Sequence, residues 1–214
     1  MTYLQLINTV LRKLREDEVT TANETDYSKL IGDFVNDAIN YVEASGDWSS
    51  LRNTISLSTV ADSDTYALTG FGIRGEVMSV YNDTKKTELR QRTKDYIIDK
   101  QVKSTNTGSP MYWCLNGTDV NNDTNIVLYP KPDGVYDIDV NVVLRNTVLS
   151  NDTDATKLPT LPIVQFAFAY ALRERGETGG QSAMEQIVIA QNDLSNAIAL
   201  DAGNNAGELV FDVL

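Results

Sequence analysis

Ile163–Leu172 reads IVQFAFAYAL, ten residues in which Gln165 is the one strongly polar side chain. A surface helix keeps a polar half; a stretch apolar nearly all round belongs at the buried centre of a bundle. Thr160 is placed to cap this helix, with Pro162 in its first turn. RGETGGQ, residues 175–181, then turns the chain. Ser182 with Glu185 reads as an S-x-x-E capping box. Ile187, Val188, Gln191, Leu194 and Ile198 line one side of a last helix that Gly203 stops.

A buried helix needs cover, and the other end of the chain supplies it. Thr2 with Gln5 forms a T-x-x-Q capping box before a helix over 3–15, whose stripe is Ile7, Val10, Leu11 and Leu14. A second helix runs over 26–44, with Tyr27, Leu30, Ile31, Phe34, Val35, Ala38, Tyr41 and Val42 inward, and Gly46 ends it.

Between these helices the period changes to two. Strands are predicted at 54–59, 66–68, 76–81, 87–89, 111–115, 126–129 and 135–144. A short helix over 93–103 turns Tyr96, Ile97 and Val102 inward. The strands read as an antiparallel meander. The expectation is an α+β chain: a helical bundle made from the N- and C-terminal helices (residues 1–50 and 158–203), an inserted antiparallel β-module (51–157) and an extended tail (204–214).

The 214 residues carry 18 Lys+Arg against 30 Asp+Glu, a formal net charge of −12. That opposes a duplex-binding role, which needs clustered cations. The chain has one cysteine, Cys114, and no histidine. An intrachain disulfide, a cysteine-based zinc cage and every Ser–His or Cys–His nucleophile are therefore excluded. No cofactor is expected. No 18-residue apolar run exists to span a membrane, and the first residues lack the pattern of a secretory signal, so synthesis in a reducing interior is expected.

Several motifs have a plain structural reading. Gly70 to Gly75, GFGIRG, fits G-x-G-x-x-G but leads into the strand EVMSVYND instead of a helix, so it reads as a turn. Asp119 to Asn125, DVNNDTN, begins like a calcium loop. Thr124 and Pro130 stand where such a loop demands Gly and Glu, so it reads as a hairpin turn. Asp152 and Asp154 sit in a similar polar loop. Asp137 and Asp139 alternate along one strand and read as a solvated face, not a catalytic pair. Cys114 reads as core. One basic cluster stands out: residues 84–103 hold seven cations and three anions, net +4 on an acidic chain. The cluster reads either as a solvated hairpin and helix face or as a docking patch for an acidic protein partner or a nearby phosphate, with Lys85, Lys86, Arg90, Arg92 and Lys94 as its candidate interface residues. The apolar tail residues Leu209, Val210, Phe211, Val213 and Leu214 follow a Gly/Asn-rich stretch. Such a short extended apolar segment is a candidate for docking on a sheet edge or groove of a neighbouring chain.

Residues 33–68, DFVNDAINYVEASGDWSSLRNTISLSTVADSDTYAL, combine an acidic amphipathic helix, a terminal Trp48, a strand and an ADSDTYAL turn. This ordered pattern resembles the head-to-tail adaptors (tail tubular protein A, or head-completion proteins) of short-tailed tailed bacteriophages. The likeness of element order extends over the whole chain. It implies a structural virion protein made in the host cytoplasm and located in the neck, a dodecameric homo-oligomeric ring between the portal protein and the tail nozzle protein. Double-stranded DNA would pass through it without tight binding, and the protein would not be an enzyme. Two other readings compete: another neck, tail-completion or minor capsid protein, and a carboxylate-based cell-wall hydrolase.

Overall fold

The computed structural model describes residues 1–104, 106–145, 148–176 and 181–204. The predicted tail segment with Leu209, Val210, Phe211, Val213 and Leu214 lies outside them, as does most of the RGETGGQ turn. The chain has an α+β fold in which terminal helices flank a β-module in sequence. It divides into two compact units: Met1–Leu51 with the described part of Asn146–Leu214, and Arg52–Arg145.

Among its described residues the first unit holds four α-helices. α1 (Tyr3–Lys13) opens with the expected capping box, Gln5 N–H donating to Thr2 Oγ1 at 3.3 Å and Thr2 N–H to Gln5 Oε1 at 2.9 Å. It stops two residues before the expected end. Arg15 takes φ 58, and the N–H groups of Arg15 and Glu16 donate back to the Arg12 and Leu11 carbonyls, closing the helix in a Schellman-type turn. α2 (Asp26–Ala44) is capped reciprocally by Thr25 and Ser28. Its buried face is Ile31, Gly32, Val35, Ala38, Ile39 and Val42, whereas Tyr41 is 43% exposed. At Gly32 α1 packs closely on α2: a Cβ there would collide with Tyr3 Oη. Trp48 is buried, its Nε1–H donating to the Val42 carbonyl at 2.8 Å, and a single 3-10 turn follows at Ser49–Leu51.

α3 (Lys94–Lys103) belongs to the second unit. In the first, α4 (Thr160–Arg175) is the central element and touches α1, α2 and α5 (Gln181–Asn204). No residue from Pro162 to Leu172 is exposed, as IVQFAFAYAL required. Two local details differ from the sequence reading. The N-cap of α4 is Pro159 and Thr160 is already helical, with no side-chain cap. α5 starts at Gln181, so Ser182 lies inside its first turn. The other three helices, α1, α2 and α5, are arranged around α4.

Among its described residues the second unit is one seven-stranded sheet plus α3. Its strands are β1 (Arg52–Ser58), β2 (Thr65–Ala67), β3 (Glu76–Asn82), β4 (Thr87–Gln91), β5 (Tyr112–Thr118), β6 (Thr124–Tyr129) and β7 (Asp137–Val143). The order is β1-β7-β3-β4-β5-β6-β2. This is no meander: β1 pairs with β7 at one edge and β2 with β6 at the other. The β4–β5 pair is parallel, with Arg90 opposite Tyr112, because α3 lies between the two strands as a crossover. Apart from this pair the neighbouring strands run antiparallel, as expected. β5 also runs on to Thr118, into a stretch expected as loop, with Gly117 at φ 65 beside a register shift that marks a bulge.

β6 is buried on both faces. Ile126 and Leu128 join the main core with Trp113, Leu89, Val80, Ile138, Val140 and Val142. Val127 and Tyr129 face a smaller cluster with Cys114 and Ile97 of α3. Thr93 caps α3, and Ile97 anchors it. Val102, expected inward, is 82% exposed.

Candidate interaction surface

The basic cluster is built by the β3–β4 hairpin, the end of β4 and the start of α3. Buried Asn82 organises the hairpin. Its Oδ1 accepts from Lys85 N–H at 2.9 Å and its Nδ2 donates to Ser109 Oγ at 3.2 Å. Lys86 sits at φ 54 and pairs with Asp83 at 2.7 Å. The main chain then carries Arg90 and Arg92 on alternate positions, and Arg92 N–H donates to the Trp113 carbonyl at 2.9 Å.

Two tyrosines give this cluster its shape. The Arg92 guanidinium lies 5.6 Å from the ring centres of both Tyr96 and Tyr112, which meet edge to face at 5.7 Å. Lys100 lies 5.7 Å from the Tyr96 ring and Lys85 5.8 Å from the Tyr136 ring. Such contacts contribute about 0.5–1 kcal/mol each at exposed sites, and they hold the cations in place without neutralising them. Lys94 instead donates to Asn116 Oδ1, and Lys103 pairs with Asp99. An open cleft of ≈ 600 Å³ runs along Lys85, Glu88, Arg90, Met111 and Tyr112; another of ≈ 540 Å³ lies between Gln91, Arg92, Thr93 and Tyr96. Arg90 and Tyr112 stand side by side in the sheet, so Lys85, Arg90, Arg92 and Lys100 form one basic and aromatic strip. The sequence signal was charge density alone; the aromatic component, Tyr96 and Tyr112, was not legible as part of it.

The other motifs resolve into structural roles. The glycine loop and the calcium-like loop are one device. Asp123 Oδ1 accepts from the N–H groups of Gly70 and Gly72 at 3.1 and 3.0 Å, and Thr124 Oγ1 donates to the Gly72 carbonyl. Gly70 and Gly72 have φ 80 and 66, values that favour glycine. A carboxylate of the chain thus occupies the amides that a phosphate would need. Asp119 Oδ1 accepts from Asn121 and Asp123 N–H in an Asx-type turn. Asp137 and Asp139 accept from Ser58 and Ser56 hydroxyls at 2.7 and 2.6 Å, and Thr54 reaches Asn141, forming a polar ladder across β1 and β7. Asp152 accepts from Ala22 N–H at 2.7 Å. The backbone N–H groups of Asn151 and Ser150 hold the Asp154 carboxyl below the usual aspartate range. Burial pushes the Cys114 thiol up. Among the described residues no group of three His, Cys, Asp or Glu side chains could hold a metal ion. No helix among them is long and apolar enough to cross a membrane.

The sequence matches the SU10 adaptor protein family over residues 1–207. The chain belongs to the SU10 adaptor family. It is a head-to-tail adaptor, a structural protein of a bacteriophage virion. An adaptor of this family works at the junction of head and tail, between portal and tail components, and its role is structural, not catalytic. The hydrolase reading has no support in this family. No curated protein matches the chain.

Proposed function

We propose that this adaptor forms a dodecameric ring between the portal and the tail nozzle and extends the channel through which double-stranded DNA leaves the head. The observation that carries the reading is the family match over residues 1–207. The charge balance agrees with it. A ring multiplies the net charge of −12 around its axis. An acidic wall repels duplex DNA over roughly 8 Å at physiological salt, so the genome slides past without binding. The lumen is accordingly lined by Asp and Glu, while Lys85, Lys86, Arg90, Arg92 and Lys94 lie at a protein interface.

In this reading residues 1–50 and 158–203 act as the helical body and 51–157 as the β-rich module. The tail 204–214, through Leu209, Val210, Phe211, Val213 and Leu214, docks on the portal or a neighbouring subunit. The chain is made in the host cytoplasm and ends in the virion neck.

An electron-microscopy reconstruction of the neck tests the proposal. It should show a closed ring of this chain below the portal, with a net negative inner surface. Submicromolar duplex binding by the isolated protein, with a steep salt dependence, would reject the non-sticking channel.

A further inference from the structure

We infer that neighbouring copies of this chain meet with the basic strip of one copy on the acidic outer stripe of α2 of the next. The inference rests on the ring reading and names the two surfaces that close it.

A net charge of −12 keeps copies apart. A closed head-to-tail ring joins two different patches of the same chain, and patches of opposite sign offset the repulsion between like-charged subunits. Residues 84–103 form a positive stretch, net +4. The cations elsewhere in the described residues include Arg12, Lys29 and Arg175, which are ion-paired within the chain. Lys85, Arg90, Arg92 and Lys100 form no ion pair with a described carboxylate. They are held ready instead by Tyr96, Tyr112 and Tyr136 or by the strand.

α2 carries the complement. Asp33, Asp37 and Tyr41 follow one another at i, i+4 and i+8 on its exposed side. Neither aspartate is ion-paired among the described residues, and like charges one turn apart destabilise a helix. A cation arriving from outside removes that repulsion. Tyr41, 43% exposed, adds a ring on whose face a guanidinium can rest.

The test uses the full chain. Arg90→Glu/Arg92→Glu and Asp33→Lys/Asp37→Lys are made separately and together, folding is checked by circular dichroism, and assembly is followed by sedimentation. The wild type should assemble at low salt and weaken at high salt. Each double variant should need at least tenfold more protein to assemble, and the fourfold charge-swapped chain should regain assembly. Rings of Arg90→Glu/Arg92→Glu at wild-type concentration, or a swapped chain that stays apart, overturn the inference while leaving the ring reading intact. Intact rings that lose portal binding assign the strip to the portal. Loss of duplex binding by Arg90→Glu/Arg92→Glu assigns it to phosphates. Either result overturns the inference. A wild type that remains monomeric alone and with portal overturns the ring reading itself.

Discussion

Asp201, near the end of α5, accepts both hydrogen bonds that Ser49 can donate, 2.9 Å from its backbone N–H and 2.6 Å from its hydroxyl. A carboxylate near a helix C-terminus is disfavoured by the helix dipole. Here it caps the 3-10 turn Ser49–Leu51 and ties residues 152 apart. Asp201→Ala leaves both donors without this acceptor and should cost about 1–3 kcal/mol. Chemical denaturation should show a lower midpoint with an unchanged slope, and a wild-type midpoint would remove this role.

Gly32→Ala sets two effects against each other. Alanine favours the helix by about 1 kcal/mol over glycine. Its methyl meets Tyr3 Oη inside a packed interface, and overpacking costs about 1–3 kcal/mol. The clash should win, because Tyr3 is buried on α1. Tyr3→Phe in the same chain removes the struck hydroxyl, so the double variant should melt above Gly32→Ala alone.

Phe166 and Phe168 lie two residues apart on α4 and should respond differently. Phe166 is 2% exposed, with Tyr41 edge-on at 4.7 Å, and Phe166→Ala should cost about 3–5 kcal/mol. Phe168 is half-buried under the Lys13 ammonium, 5.5 Å from its ring centre, so Phe168→Ala should cost less. Paired denaturation curves decide the order.

Asp154 predicts an acid limb. Its folded pKa is depressed, chiefly by the Asn151 backbone N–H and then that of Ser150. The unfolded chain therefore binds more protons at mildly acidic pH. Stability from this group is present above the ordinary aspartate pKa and is lost as pH falls through the lower folded value. Melting temperature should drop on acidification, and Asp154→Asn should flatten that drop while leaving the neutral-to-alkaline profile unchanged.

The elements legible along the chain are those written in short-range chemistry. The start of α1 is coded by Thr2 and Gln5, three residues apart, and the apolar period of α2 marks its span, Asp26–Ala44. The apolar wrap of Ile163–Leu172 allowed one answer, burial on all sides, because no rotation of the helix exposes a polar face. The family-like pattern in residues 33–68 was likewise visible as an ordered string of a helix, Trp48 and a strand.

Contacts between distant segments required the fold. β1 and β7 are far apart in sequence, yet Ser56 and Asp139 hydrogen bond, and no local signal distinguishes that partner from the nearer β2. Asp123 and Gly70 likewise looked like two separate motifs until the fold made one the acceptor for the other. Val102 follows the inward period of a helix, but α3 anchors through Ile97 on β5 and β6, leaving Val102 outside. Charge alone marked Lys85 to Lys103 along the chain. Only the parallel placement of β5 beside β4 brought Tyr112 to Arg92, because strand order is set by burying both faces of β6, a property of the whole sheet and of no single segment.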